Sequence, residues 1–303
     1  MGLTIFFLSK FKNKDGDKAF YKAKTVFEKI TKQANFAKIA KYKKAYSYFR
    51  LAAIEKLDKH VYQNLLLDIA KNDSSYSLRM VAAKLLTNEI ARQSVYTNIA
   101  KNGDPYYALE AAEFLTNEEI RQSVYTHIAK NAEFLTHRRD AVEKLSGNIH
   151  QPLLVEIVKN DRESLVREEA IKKLNINENQ ELLVDIAKNA NNIREQKEAF
   201  KKLTDQKTII DIALQSKNNN IVDIAITLLT NQEYLITIAN NLTRYNENDF
   251  TEFIQCYENL LQKIGIDKMP KSLDDIYKNA QKDQKYCENQ EIRDRYTSGQ
   301  NCG

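Results

Sequence analysis

The residues with most potential for recognition chemistry are lysines that recur along the chain at intervals of 29 or 30 positions. Each follows a recurring isoleucine by two residues: Lys71, Lys101, Lys130, Lys159 and Lys188. The position before the same isoleucine is polar in each copy: Asp68, Asn98, His127, Glu156 and Asp185. Cations beside acidic and amide side chains suit ionic and hydrogen-bonded recognition, so we take these ten residues as candidate partner-binding positions.

A simpler interpretation of the lysines stays open. A lysine in the last turn of a helix complements the negative helix end, and the asparagine that follows it would suit a left-handed helix cap. The two interpretations are compatible, because a residue that ends a helix can also contact a partner.

Catalytic, metal and cofactor signatures are absent from the sequence. It contains no phosphate-binding loop, nucleophile elbow or H-E-x-x-H string, and seven glycines leave little material for phosphate-cradling loops. Cys287 and Cys302 are too far apart to form a C-x-x-C pair, and we expect Cys256, beside apolar helix positions, to be a buried thiol. We therefore predict a non-catalytic protein with no cofactor and no metal.

Composition limits the fold class and the compartment. The 303 residues include 46 Lys+Arg, 41 Asp+Glu, 7 Gly, 3 Pro and 3 Cys. So few turn-forming residues argue against an all-β protein, and three cysteines do not make a disulfide framework. With no apolar run of about 18 residues and no secretory signal pattern, we expect a cytoplasmic protein without a transmembrane segment.

An internal repeat dominates the chain and predicts how the polar positions are held. Strings such as LLLDIAKN (65–72) and LLVDIAKN (182–189) occur in eight copies, whose isoleucines lie at 39, 69, 99, 128, 157, 186, 212 and 238. Between them runs a second string, for example VREEAIKKL (166–174). Both strings have the spacing of amphipathic helices that are too short to be stable alone. The repeat therefore predicts an all-α protein, an α-solenoid of about seven to eight stacked helix pairs.

The repeat resembles a short HEAT-like repeat of the bacterial type, in which a V-R-x-x-A-x-x-x-L helix is followed by an L-x-x-I-A helix. The clearest copy joins 166–174 to 182–189, and the resemblance covers roughly residues 31–241. It implies that the second helix of each unit lines a concave binding face. It also implies an Asp–Arg ladder, in which Asp73 and Asp161 precede Arg79 and Arg167 by six residues. The ladder would be interrupted at Asp104, whose partner position is Ala108.

Four segments follow from these patterns. Residues 1–30 form a basic and aromatic N-terminal lead and cap, 31–241 the repeat solenoid, 242–283 a C-terminal helical cap and 284–303 a polar tail that we expect to be mobile. Residues 1–60 contain 15 Lys+Arg and 5 Asp+Glu, with aromatic residues interleaved. This composition is typical either of a capping helix pair or of a surface for nucleic acid or another acidic partner.

The function that we predict is an interaction scaffold that binds a protein or peptide along the concave face. The resemblance leaves two alternatives: a nucleic-acid-binding protein similar to the HEAT-like DNA glycosylases, or an enzyme of the chromophore-lyase kind. Net charge opposes the nucleic-acid alternative, because the chain carries only +5 overall and −5 beyond residue 60.

Overall fold

The computed structural model describes residues 16–216, 218–242 and 250–265, and part of the stretch 270–281. All regular secondary structure within these ranges is helical, which confirms the all-α prediction. The chain divides into two compact units, unit 1 (residues 1–146) and unit 2 (residues 147–303). The tail that we predicted over 284–303 lies outside the described residues.

Unit 1 contains nine described α-helices. They are α1 (Gly16–Glu28), α2 (Gln33–Lys41), α3 (Ser47–Glu55), α4 (Gln63–Asn72), α5 (Tyr76–Lys84), α6 (Glu89–Asn102), α7 (Pro105–Glu113), α8 (Glu118–Asn131) and α9 (Leu135–Lys144).

Unit 2 begins with a 3₁₀ helix (Asn148–His150) and continues with eight described α-helices. They are α10 (Gln151–Asn160), α11 (Ser164–Lys173), α12 (Ile176–Asn189), α13 (Ile193–Lys201), α14 (Gln206–Gln215), α15 (Asn219–Leu228), α16 (Gln232–Leu242) and α17 (Phe250–Ile264). Helix α17 ends at Ile264, and the Gly265 that follows it has the positive φ of 78° that favours glycine.

The helices alternate between two types. The I-helices, which carry the recurring isoleucine, are α2, α4, α6, α8, α10, α12, α14 and α16, and the R-helices are the odd-numbered helices from α3 to α17. Each I-helix packs against the R-helix that follows it. Successive R-helices also contact each other within each unit, as do successive I-helices in unit 1 and from α12 to α16 in unit 2.

The recurring apolar residues form the core between these helices. All eight repeat isoleucines are buried. The alanines at one repeated position in seven of the R-helices have no exposed surface at all: Ala53, Ala82, Ala111, Ala141, Ala170, Ala199 and Ala225. Such complete burial means that a neighbouring helix lies directly against each alanine, so a larger side chain would force the helices apart.

Polar side chains cap the N-termini of three I-helices in the same way. The side-chain oxygens of Asn88, Asn117 and Asp205 each accept a hydrogen bond from a main-chain N–H three residues on. These bonds satisfy amides that have no partner inside the helix.

Glutamines at one repeated position, which we call the glutamine column and which were not among the predicted functional residues, bond to the turn that follows most of the helix pairs. Glutamine stands six residues before every repeat isoleucine: Gln33, Gln63, Gln93, Gln122, Gln151, Gln180, Gln206 and Gln232. In α6, the Gln93 side-chain amide donates to the carbonyl of Phe114 at 2.9 Å and accepts from the N–H of Thr116 at 3.0 Å. It thereby holds both sides of the turn that follows α7.

The same pair of hydrogen bonds recurs at five other glutamines of this column. Glutamines 33, 63, 122, 151 and 206 each donate to a main-chain carbonyl 22 or 23 residues later and accept from the N–H two residues beyond it. Each bond pair fixes the turn from which the next helix pair starts.

Gln180 is the exception among the glutamines whose bonds are described. Asn179 just before it has non-helical dihedral angles (φ −130°, ψ 24°), which kink α12. The Asn179 side chain donates instead to the Gln151 amide oxygen at 3.1 Å, and the structure gives Gln180 no bond to the turn after α13. Gln93, which bonds to the turn after its helix pair, and Gln180, which does not, can therefore be compared within one chain.

We expect Gln93→Ala to lower the free energy of unfolding by about 1–2 kcal/mol, because the turn after α7 loses two hydrogen bonds. Gln180→Ala is expected to change it by no more than about 0.5 kcal/mol. Urea unfolding followed by circular dichroism measures both values. Hydrogen exchange adds a local readout, since the Thr116 amide should exchange faster only in Gln93→Ala; equal effects of both substitutions would contradict the assigned role.

Candidate functional site

The five candidate lysines lie in one structural position. Each is exposed in the last turn of an I-helix: Lys71 in α4, Lys101 in α6, Lys130 in α8, Lys159 in α10 and Lys188 in α12. The structure thus supports the helix-end role of these lysines and leaves their charges at the surface.

The neighbouring polar positions are also exposed. Four of them accept a hydrogen bond from the side chain of the asparagine one turn later. Examples are Asn72 Nδ2 to Asp68 Oδ1 at 2.9 Å and Asn189 Nδ2 to Asp185 Oδ1 at 2.8 Å. We call the ten exposed residues the I-helix columns: in unit 1 they lie on three successive helices, and in unit 2 on α10 and α12.

The expected left-handed helix caps are wrong. The asparagines after the column lysines are the last helical residues, and the residues that follow them, such as Asp73 (φ −72°, ψ 144°), are extended. No described residue other than glycine has a positive φ. The chain leaves each I-helix directly in the extended conformation, and the asparagine side chain bonds backward to its own helix.

Arginines of the R-helices tie the columns to the core. Arg50 Nε donates to the carbonyl of Ala40 at 3.0 Å, and its guanidinium makes a bidentate ion pair with Asp73 of the next turn. The side chains of this pair are only 6% and 2% exposed. This buried contact joins the α2–α3 pair to the turn between α4 and α5.

The arginine contacts correct the pairing that the resemblance implied. Asp73 binds Arg50, which lies 23 residues earlier, rather than Arg79, because the guanidinium reaches the next helix pair. Arg79 Nη2 donates to Asn98 Oδ1 at 2.6 Å, so this arginine supports a column residue directly.

The remaining implied ladder residues have other roles. Arg167 donates to the main-chain carbonyl of Asp161, and its carboxylate partner is Glu195 at 2.7 Å. Asp104 caps the N-terminus of α7 by accepting from the Tyr107 N–H.

In one repeat, both the arginine and its carboxylate partner are absent. Ala108 replaces the arginine, and Ala132, four residues after its repeat isoleucine like Asp73, replaces the carboxylate. Both alanines are buried. Because the arginine and the carboxylate are both replaced by alanine, no unpaired charge is left in the interior.

Electrostatics confirm that the Asp73 carboxylate is held in its charged form. Burial raises its pKa, but the hydrogen bond from Arg50, the N–H of Ser75 and the charges of Arg50 and Lys43 together bring the pKa below the usual carboxyl value. The ion pair is therefore a source of stability at neutral pH.

A shallow cleft of about 360 Å³ lies between α7 and α9 in unit 1. It is lined by Tyr106, Leu109, Glu110, Glu113, His137, Asp140, Glu143 and Lys144. Glu113 forms an ion pair with Lys144, and this hydrogen bond raises the pKa of the lysine. Glu110 binds Lys84 at 3.0 Å. These carboxylates are neutralised by their neighbours and do not form an acid–base pair.

A second cleft, of about 510 Å³, lies at the kink of α12 in unit 2. Its walls are polar and include Asn177, Glu178, Asn179, Gln180 and the column residue Lys159. The irregular turn at Asn179 opens this space on the same helices that carry the unit 2 columns.

The remaining sequence expectations concern cysteine and metal. Cys256 is fully buried in α17, with Sγ 3.5 Å from the carbonyl of Asn219, which confirms the buried thiol. Cys287 and Cys302 lie outside the described residues. Within the described part of the chain, no three His, Cys, Asp or Glu side chains form a group that could hold a metal ion.

Comparison of the chain with protein-family models, with curated proteins and with solved structures found no match in any of the three. Among the described helices, none is both long and apolar enough to cross a membrane.

We expect Asp73→Ala to lower the free energy of unfolding by about 3–5 kcal/mol, because it leaves the buried guanidinium of Arg50 without a carboxylate. The double variant Arg50→Ala/Asp73→Ala reproduces the arrangement found at Ala108 and Ala132. It should cost less than the sum of the two single variants, by about 1–3 kcal/mol. A double-mutant cycle from urea unfolding checks this, and strict additivity would contradict the coupling.

The same pair predicts a pH dependence. A lowered folded-state pKa gives stability that is present above the ordinary carboxyl pKa and is lost as the pH falls through the folded value. The difference in unfolding free energy between the wild type and Asp73→Ala should therefore be constant at neutral pH and shrink below about pH 4. Unfolding curves at pH 7, 5, 4 and 3 measure it; a difference that persists unchanged at pH 3 would contradict the assignment.

Proposed function

We propose that the chain is a HEAT-like α-solenoid that serves as a non-catalytic scaffold in the cytoplasm, binding a protein or peptide partner along the I-helix columns. The observation that carries the proposal is the repetition of one exposed pattern, a polar residue and a lysine at fixed places, on successive packed helices. A partner that runs across the helices would meet the same pair of side chains at each step.

The chemistry of the columns favours a partner with mixed polar and charged groups. Acidic and basic side chains stand three residues apart on one helix, as in Asp68 with Lys71 and Asp185 with Lys188. Residues three apart lie on the same face of a helix, so both signs of charge are presented together. Such a surface recognises a partner by complementary pairing and not by net attraction.

The arrangement beneath the columns supports the same proposal. Recognition surfaces need side chains whose positions are fixed before binding. Arg79 donates a hydrogen bond to Asn98, and the asparagines at the helix ends donate hydrogen bonds to the column residues one turn earlier. The binding residues are thus partly preorganised by contacts within each helix pair.

We expect Lys71→Gln/Lys101→Gln to reduce capture of the partner from nuclease-treated extract of the source cell at least tenfold, because two column charges are removed. The matched control Lys84→Gln/Lys201→Gln removes two exposed lysines from the last turns of R-helices. Both variants lose two favourable helix-end charges, and the control also loses the ion pairs of Lys84 with Glu110 and of Lys201 with Glu198, so a loss of capture caused by destabilisation alone would appear in the control as well.

Quantitative mass spectrometry of the proteins retained by full-length bait reads out this comparison. Discrete proteins lost only with the column variant would support the scaffold. Equal retention by both variants would contradict the column surface, and retention that disappears with nuclease would indicate a nucleic-acid-binding protein instead.

A further inference from the structure

Positive charge is concentrated on the first three helices of unit 1. Residues 20–60 contain 11 Lys+Arg and 3 Asp+Glu, whereas the chain beyond residue 60 is net negative. The α2–α3 turn carries Lys41, Lys43 and Lys44, while the corresponding later turns carry acidic residues such as Asp73 and Asp104. A terminal helix pair needs a polar outer face for solubility, but solubility alone does not require a single sign of charge.

Five of these lysines and one tyrosine are exposed. Lys29, Lys32, Lys41, Lys43 and Lys44 are exposed, and Tyr21 on α1 is 64% exposed. We call these six residues the basic cap. Glu28 is the exposed carboxylate of α1, and Glu55 and Asp58 flank the end of α3. The basic cap therefore keeps a net positive charge.

Three of the aromatic residues interleaved with these lysines turn inward, whereas Tyr21 and Tyr48 are exposed. Phe27, Phe36 and Phe49 are at most 5% exposed, and the Phe27 ring packs at a tilt against the other two, with ring centroids 5.8 Å (Phe27–Phe36) and 5.6 Å (Phe27–Phe49) apart. Buried rings cannot stack on unpaired bases, which is how single-stranded nucleic acids are commonly held. Arg50, the one arginine of residues 20–60, is also buried in its pair with Asp73, so the surface offers no guanidinium fork for bases or phosphates.

The exposed residues of the basic cap suit a lipid surface instead. Lysines reach anionic headgroups with the ammonium while their carbon chains cover apolar surface, and tyrosine favours the membrane–water interface.

We propose that the basic cap is a docking surface for an anionic lipid bilayer, which would bring the I-helix columns to the membrane surface. Lys41 on α2 continues the lysine position of the columns, but lipid binding needs no protein partner, so the proposal does not depend on the scaffold function. Attraction comes from the lysines and falls with ionic strength, and Tyr21 lies where the protein meets the headgroups.

The absence of tryptophan from the sequence permits a local test on the full chain. Tyr21→Trp creates a single tryptophan within the basic cap, and Tyr106→Trp creates one on α7 at a position of similar exposure, 59%. With vesicles of 30% phosphatidylserine in phosphatidylcholine, the Tyr21→Trp emission should shift to shorter wavelength and be quenched by brominated acyl chains. Neither change should occur with pure phosphatidylcholine or for Tyr106→Trp.

Charge variants in the Tyr21→Trp background test the role of the lysines. Lys32→Gln/Lys43→Gln/Lys44→Gln changes three residues outside the helices and should weaken vesicle binding about a hundredfold, because each lysine near an anionic surface contributes roughly a fivefold factor. The control Lys71→Gln/Lys84→Gln/Lys101→Gln removes the same charge elsewhere in unit 1 and should leave vesicle binding within about twofold of the wild type.

Several results would overturn the proposal: no spectral shift with anionic vesicles, an equal shift with neutral vesicles, an equal loss in both charge variants, or tighter binding to an oligonucleotide that displaces the vesicles. Failure of partner capture by the column variant alone would leave vesicle binding intact, so the two proposals fail independently.

Discussion

In six of the eight I-helices a glutamine bonds to the turn that follows the paired R-helix, and the regularity of the chain depends on this contact. The helices are mostly 9 to 14 residues long, too short to persist alone, so each needs neighbours in a fixed place. The glutamine amide supplies both a donor and an acceptor to main-chain groups of the turn, which would otherwise have only water as a partner. The next I-helix therefore begins from the same geometry each time.

The arginines fix the opposite end of the helix pairs, and they tolerate variation in a way that the glutamines do not. Arg50 uses an aspartate of the next turn, Arg79 an asparagine of the next I-helix, and Arg167 a glutamate of the next R-helix. A guanidinium with five donors on a long side chain can reach any of these acceptors. At Ala108 and Ala132 both members are lost together, which avoids an unpaired buried charge.

These two side-chain contacts leave the ten column residues of the I-helices exposed. The columns lie at the surface because the isoleucine between them faces the core, and the helix geometry turns the residues one before and two after it outward. Charge is then distributed unequally: columns of mixed sign on most helix pairs, and the basic cap at the first.

The sequence by itself determined the all-α class, the buried isoleucines and alanines and the exposure of the ten column residues, because each of these follows from periodicity within one helix. The glutamine column was equally visible at a constant six residues before isoleucine, but its meaning depends on a turn more than twenty residues away. Only the tertiary structure decided that Asp73 pairs with Arg50, that Asn179 kinks α12 and releases Gln180, and that Phe27, Phe36 and Phe49 are buried. These outcomes depend on which side chains from different helices come into contact, and the spacing of residues within one helix does not determine those contacts.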